Sequence, residues 1–151
     1  MTVRITGDRQ TIKRLRGIDL HLRNLKPTMQ KIAKELVSYV EGEVFESQGG
    51  VLGRVWPAVK PDTMRRKSRL RVVSGTQTLV ASGKMRSNFK SDVGNKSLRI
   101  FNPTAYFKYH NSTEPRSKMP YRPMLLVNDV MERKVYAIVK RDIELKISRG
   151  M

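Results

Sequence analysis

The stretch LVASGKMRSNF, residues 79–89, holds the residues whose types and spacing come nearest to a catalytic or phosphate-binding motif. A Ser-Gly-Lys sequence between an apolar run and a basic, alternating run is compatible with a nucleophile turn, a phosphate cradle or the entry to a strand. Ser82-Gly83 lacks the Gly-x-Ser-x-Gly frame of a nucleophile elbow. Gly83-Lys84 lacks the Gly-Lys-Ser/Thr frame of a phosphate loop. The motif alone is therefore a weak signal for either chemistry.

Histidine, cysteine and the acidic residues offer no catalytic constellation. Histidine occurs at His21 and His110, and a metal site would need further ligands. His110, in YFKYHN, is typical of a packing or interface histidine. Cysteine is absent, which excludes disulfides, thiolate catalysis and Cys-ligated zinc. Glu41, Glu43 and Glu46 are interpreted as the solvated face of a helix. We predict no enzymatic activity, no metal and no cofactor.

The charge points to anionic partners. The chain has 31 Lys and Arg against 13 Asp and Glu, a net charge of +18. Such a chain attracts polyanions, with nucleic acid first and an acidic protein surface second. A neighbouring subunit that neutralises the charge is the third interpretation. No apolar run approaches the roughly 20 residues of a membrane span, and the N-terminus has no apolar signal region, so no membrane partner is predicted.

The basic run MRRKSRLR at residues 64–71 is the most concentrated part of this charge. It is compatible with phosphate binding or with a solvated loop. Trp56 could stack on a base, although a Trp beside Pro57 more often anchors a loop. No RNP-type aromatic pair, helix-turn-helix spacing or zinc-finger pattern is present. Any nucleic-acid contact is therefore predicted to be independent of base sequence.

Two helices and a small sheet are predicted to position these residues. Apolar residues at spacings of three and four predict a helix over residues 27–48, ended by Gly49-Gly50. Asn128 and Asp129 offer an N-cap for a second helix that runs to about Lys146. Both helices are expected on one face of the sheet, in an α+β fold.

The sheet is predicted to be a small antiparallel meander of three to four strands. Alternation over residues 85–93, the Gly94-Asn95 turn signal and residues 96–101 predict a hairpin. Residues 2–6, TVRIT, are a further strand candidate.

A single α+β domain is expected over residues 27–146. It follows an N-terminal basic arm, residues 1–26, and precedes a flexible tail, residues 147–151. Long loops are expected at residues 50–78 and 111–119.

Several weak motifs occur in an order that resembles a known family. They are Trp56-Pro57, Thr63 with basic residues following, Leu79-x-x-Ser82-Gly83-x-Met85-x-x-Ser87, Ala105-Tyr106 with His110 four residues on, and Pro120-x-Arg122-Pro123-Met124-Leu125. Over about residues 27–145 the chain resembles the tailed-phage virion morphogenesis proteins, the tail-completion, neck or tail-terminator proteins of Mu-like and related phages. It departs from the pattern in HNSTEPRS, which lacks a glycine, and at Met124, where Phe is usual.

The resemblance implies a structural virion protein at the head–tail junction. It implies a ring, commonly hexameric, that completes or terminates the tail tube and joins it to the head connector, with DNA passing through the lumen. The implied partners are other copies of the chain, the tail tube protein, the head-side connector or stopper, and a sheath protein. The expected location is the neck of the virion, after assembly in the host cytoplasm. A basic nucleic-acid-binding protein without sequence preference is the alternative.

The resemblance also gives the candidate sites. Ser82-Gly83 becomes a tight turn before the first sheet strand, with Gly83 at a backbone angle that other residues resist. Residues 120–125 become an edge strand available to a neighbour. The basic residues expected to face the lumen or a neighbouring ring are Arg65, Arg66, Lys67, Arg69 and Arg71. The residues expected to dock a subunit or partner are Trp56, Tyr106, His110, Arg122 and Met124.

Overall fold

The long N-terminal helix organises the structure. The computed structural model describes residues 24–69, 77–112 and 119–148. Helix α1, Lys26–Tyr39, begins with Pro27 in its first turn, where a missing N–H costs nothing. Leu25 N–H, just before the helix, donates to Asn95 Oδ1 at 2.8 Å, which ties this end to the hairpin turn.

The helix widens into a π-helical segment, Val40–Val44, before it ends. The hydrogen bonds of a π-helix join residues five apart, not four, and Val40, Val44 and Phe45 here all lie on the buried face, at 0%, 0% and 1% exposure. The chain then leaves the helix through Gln48 and Gly49, which both have left-handed backbone angles. The predicted helix over residues 27–48, ended by glycine, is confirmed apart from this π segment.

A hairpin follows in the second half of the chain. Strands β1, Lys90–Val93, and β2, Leu98–Phe101, pair antiparallel with Lys90 opposite Phe101. The described residues therefore give an α+β fold with a two-stranded sheet, not the predicted three to four strands. The candidate strand at residues 2–6 lies outside the described residues.

Two predicted strand segments take other conformations. Ser87 N–H donates to the Gly83 carbonyl at 3.0 Å, so residues 83–87 form a turn and the strand starts only at Lys90. Residues 120–125 form no strand. Instead, Asn111 Oδ1 accepts the N–H groups of Met124 and Leu125 at 2.8 and 2.9 Å, which occupies donors that a neighbouring strand would need.

The C-terminal helix is α4, Asp129–Ser148, which extends slightly past the predicted end at Lys146. Asn128 caps it as predicted, because its Oδ1 accepts the Met131 N–H at 3.0 Å. Its main helical contact is with α1, which also contacts both strands. Lys134 on α4 bridges Glu35 on α1 and Glu43 in the π segment, at 2.9 and 3.1 Å.

The predicted loop over residues 50–78 contains regular structure. A 3-10 turn, Gly50–Leu52, is followed by helix α2, Pro61–Arg69. Asp62 lies in the first turn of α2, where an acidic residue is favourable. A short helix α3, Phe107–Asn111, follows β2, and residues 113–118 of the second predicted loop lie outside the described residues.

The hydrophobic core lies where α1, the 3-10 turn, the residues before β1 and the start of α4 meet. Phe45 is at its centre, with ring centroids 5.2 Å from Trp56 and 6.3 Å from Phe89, both edge-on. The buried cluster comprises Tyr39, Val40, Val44, Phe45, Leu52, Trp56, Val80, Met85, Phe89, Met124 and Met131.

Candidate interaction cleft

An open cleft of about 690 Å³ lies beside this core. Its walls come from residues 57–60, helix α2, the turn over residues 78–85, the end of α3 and residues 119–122. The Ser82-Gly83 motif is thus in the cleft wall, next to residues distant in sequence.

The Ser82-Gly83 motif forms a turn. Gly83 has φ +75°, in the left-handed region that glycine adopts at least cost. The Ser82 hydroxyl accepts the Lys84 N–H at 3.4 Å, and the Ser87 hydroxyl donates to the Gly83 carbonyl at 3.2 Å. The turn conformation confirms the predicted structural role of this motif.

Lys67 holds two walls of the cleft together. Its side chain points inward from α2, and its ammonium donates to the carbonyls of Gln77 and Val80 at 2.5 and 2.8 Å. Burial, followed by the nearby Arg122 guanidinium, lowers the pKa of Lys67. The residue is 9% exposed and therefore binds its own chain, which departs from the prediction that it faces a lumen.

Arg122 supports the opposite wall. Its guanidinium donates to the Pro57 carbonyl at 2.9 and 3.2 Å and to the Ala58 carbonyl at 3.3 Å. Its backbone N–H donates to the His110 carbonyl at 2.9 Å, so one residue joins three segments. Burial, followed by the charge of Arg122, lowers the pKa of His110. Both effects favour the neutral form of the His110 imidazole.

The charged residues that line the cleft are all basic. Lys60 and Lys84 are exposed at its edge, whereas Lys67 and Arg122 lie deeper. Among the described residues that line the cleft there is no Asp or Glu. The lowered pKa values of Lys67 and His110 follow first from burial and then from the positive charge of Arg122.

The family comparison decides the class of protein. The sequence model of the phage virion morphogenesis family matches residues 7–144. The chain belongs to this family. The match starts at residue 7, so it includes most of the N-terminal arm, which the motif resemblance alone did not cover. Searches of curated proteins and of solved structures returned no match.

Membership establishes a bacteriophage protein with a structural or assembly role. In residues 24–69, 77–112 and 119–148 there is no group of three or more His, Cys, Asp or Glu residues that could hold a metal ion. None of the helices described is long and apolar enough to cross a membrane.

Two residues of this morphogenesis protein that were predicted to dock a partner are core residues. Trp56 is 3% exposed and its Nε1 donates to the Pro123 carbonyl at 2.7 Å, while Met124 is fully buried. They stabilise the wall of the cleft from behind and are not accessible to a partner in this conformation. Trp56 is the loop anchor that its Trp-Pro context also suggested.

The other predicted docking residues lie at the cleft. Tyr106 is 42% exposed, and Tyr106, His110 and Arg122 all contribute to its lining. The structure thus brings together three of the five predicted docking residues. The sequence carries no signal for Lys60 and only a weak motif at Lys84, because nothing in their spacing shows that they converge.

The remaining basic residues form a separate surface. Arg65, Arg66 and Arg69 are exposed on α2, and Arg65 lies 3.5 Å from Asp62 in an exposed pair. Arg71 lies outside the described residues. We refer to Arg65, Arg66 and Arg69 as the α2 arginine face.

Glu41, Glu43 and Glu46 are not simply the solvated face of a helix that the sequence predicts. Glu43 pairs with Lys134, and Glu46 pairs with Arg86 at 3.3 Å. Glu41 is half-buried, and its backbone carbonyl accepts from Arg86 Nε at 2.6 Å. Basic groups of the domain already contact these acidic residues. The cleft and the α2 arginine face therefore have fewer acidic partners than basic residues.

Proposed function

We propose that this protein forms the ring at the head–tail junction of a tailed phage, where it completes or terminates the tail tube and joins it to the head connector. The observation that carries the proposal is the family match over residues 7–144. The proposed partners are further copies of the chain, the tail tube protein, the connector or stopper protein and, in a contractile tail, the sheath protein.

Self-association is supported by apolar residues on the surface of α4 and just before it. Tyr136 is 69% exposed, Ile147 53% and Leu145 41%, and Val127 before the helix is 75% exposed. Large apolar side chains that remain at the surface are typical of subunit contacts. In a closed ring each subunit would cover such residues of its neighbour.

Contact with passing DNA is supported by the α2 arginine face. Its three guanidinium groups are exposed on one short helix, in a chain with a net charge of +18. A lumen must let DNA slide, and phosphate contacts without base contacts suit that requirement. The same arginines could instead meet an acidic surface of a neighbouring ring, where opposite charge guides assembly.

The first experiment is negative-stain microscopy of particles from a phage that lacks the gene, beside wild type. Full heads and separate tails that join when the purified protein is added would establish the joining role. Tails of abnormal length would place the protein at the terminator position. Normal joined particles would refute the proposal.

The α2 arginine face is tested by charge reversal. Arg66→Glu with Arg69→Glu should impair particle assembly or DNA ejection, whereas Lys34→Glu with Lys96→Glu should not. Lys34 and Lys96 are exposed and lie away from α2, and the two double variants change the net charge equally. Equal infectivity of both variants would remove this face from the mechanism.

A sequence-independent nucleic-acid-binding protein is the second candidate, because of the net charge and the α2 arginine face. Such a protein should bind duplex DNA with an affinity that falls steeply as salt rises. A ring subunit should instead self-associate at salt concentrations that abolish DNA binding. Sedimentation and DNA binding measured over one salt series separate the two.

A further inference from the structure

We propose that the cleft is a docking site for an acidic peptide segment of a partner protein, an extended segment in which carboxylates alternate with apolar side chains. The inference concerns the chemistry of the bound segment. It rests on the proposed neck function only in taking the partner to be another virion protein.

The charge of the cleft selects the carboxylates. Lys60 and Lys84 are exposed at its edge, where they can reach a bound segment, and Arg122 and Lys67 add positive charge beneath. The described lining contains no acidic side chain that could neutralise these groups. An anionic ligand would supply the missing counter-charge, and this complementarity sets both the specificity and the rate of association.

The apolar part of the cleft selects the alternating side chains. Leu79, Met85 and Val59 contribute to the lining, and Met85 is 3% exposed at the boundary with the core. A volume of about 690 Å³ lies within the range of clefts that enclose a compact ligand, typically about 300–1,000 Å³. A segment with only acidic residues would leave this apolar surface unused.

The same features disfavour nucleic acid as the occupant. A duplex presents its phosphates on a broad convex surface, which suits the exposed α2 arginine face better than a recess of this volume. Single strands bind through rows of aromatic side chains on which bases stack. Among the described residues that line the cleft, Tyr106 and His110 are the two with aromatic rings, too few for such a row.

The walls of the cleft are formed in advance of binding. Lys67 joins α2 to Gln77 and Val80, and Arg122 joins residues 57 and 58 to α3. A preformed site loses little conformational entropy on binding. Because these two side chains already bind backbone carbonyls, the exposed Lys60 and Lys84 are the groups to change in a test.

The binding experiment uses the full chain and a short fluorescein-labelled peptide that alternates glutamate and leucine. Fluorescence anisotropy gives the dissociation constant for wild type, for Lys60→Glu with Lys84→Glu, and for the control Lys34→Glu with Lys96→Glu. Each variant is first checked for an unchanged melting transition. The cleft variant should lose about tenfold or more in affinity, as expected when exposed ion pairs become repulsions, and the control about twofold or less.

A peptide that alternates glutamine and leucine, and an oligothymidylate of equal length, complete the binding series. The neutral peptide should bind more weakly than the acidic one. Equal losses in the two double variants would show binding to diffuse charge and would overturn the proposal. The proposal would also be overturned if the oligothymidylate displaced the acidic peptide and lost as much affinity for the cleft variant as the acidic peptide does. The cleft would then be a nucleic-acid site.

A second measurement reports directly from the cleft. His110 lines the cleft, and its imidazole titrates in the range that NMR follows readily. Bound carboxylates should raise the pKa of His110 in an NMR titration; no change at His110 would contradict occupancy of the cleft. The phage microscopy is independent of these results, so failure of the docking proposal and failure of the neck proposal are distinguishable.

Discussion

Replacing Asp142 by asparagine should remove a polar link between the terminal helices of the domain. The Asp142 side chain is 5% exposed on α4. Its Oδ2 accepts the Thr28 hydroxyl at 2.5 Å, its Oδ1 pairs with Lys31, and Lys146 lies 3.7 Å from Oδ2. Thr28 and Lys31 belong to the first turns of α1. Asparagine keeps the size of the side chain and removes the charge.

The pKa of Asp142 gives the size of the expected change in the free energy of unfolding. Burial by itself would raise this pKa, but the hydrogen bonds from Lys31 and Thr28 and the charges of Lys31 and Lys146 lower it from 3.8 to about 2. One pKa unit corresponds to about 1.4 kcal/mol, so the ionised carboxylate contributes about 2 kcal/mol to the free energy of unfolding. Because the folded-state pKa is depressed, this contribution is present above the unfolded value of 3.8 and is lost as the pH falls through about 2.

The assay is urea unfolding of wild type and Asp142→Asn across this pH range. The difference in unfolding free energy should be about 2 kcal/mol near neutral pH and about half of that near pH 3. General acid destabilisation of this basic chain affects both proteins and cancels in the difference. Asp92→Asn, at an exposed position on β1, is the matched control and should change stability little. A difference that stays constant from neutral pH to pH 3 would refute the electrostatic explanation.

Three further substitutions, measured by the same unfolding assay, test the residues that support the walls of the cleft. Gly49→Ala should cost about 3 kcal/mol or more, since Gly49 has φ +83° and an added Cβ would lie 2.4 Å from the Trp56 indole nitrogen. Gly83→Ala should cost about 1–2 kcal/mol, because its φ is also positive but an added Cβ meets no atom within 4 Å. Equal costs would contradict the contact argument. Trp56→Phe should cost about 1–3 kcal/mol by leaving the buried Pro123 carbonyl without its indole donor, and an unchanged unfolding midpoint would show that this bond contributes nothing.

The parts of the fold that the sequence predicts well are those set by local signals. Helix α1 follows from apolar spacing and a glycine stop, and α4 from apolar spacing and the Asn128 cap, which binds only three residues away. The left-handed Gly83 turn also follows from its own residues. In each case the deciding contacts join neighbours in the chain.

Contacts between distant residues explain most of the differences. The alternation at residues 85–93 predicts a longer strand, but the residues from Gly83 to Ser87 curl as Met85 enters the core. Residues 120–125 form no strand, and Met124 and Leu125 bind the Asn111 side chain instead. The strand number depends on such pairings, and no local pattern encodes it.

Prediction of the candidate cleft from the sequence is limited in the same way, by contacts between distant residues. Tyr106, His110 and Arg122 were found through the order of family motifs, whereas the convergence of Lys60 and Lys84 is visible only once the chain is folded. A charged run in a sequence does not reveal which of its members point inward. Lys67 lies within the basic run and binds backbone carbonyls, while its neighbour Arg66 is exposed.

The distribution of charge ties the structure to the proposed role. Four of the 13 acidic residues lie at Glu35, Glu41, Glu43 and Glu46, and three of these form ion pairs with Lys134 or Arg86 inside the domain. Because so many acids are matched internally, the excess positive charge is concentrated on the remaining surfaces, among them the cleft and the α2 arginine face. These two surfaces differ in shape and suit different anionic partners. The recessed cleft suits carboxylates, and the exposed α2 arginine face suits phosphates or an acidic face of a neighbouring ring. The proposed role between a tail tube, a connector and passing DNA would use both surfaces, whereas a simple nucleic-acid binder would use only the open one.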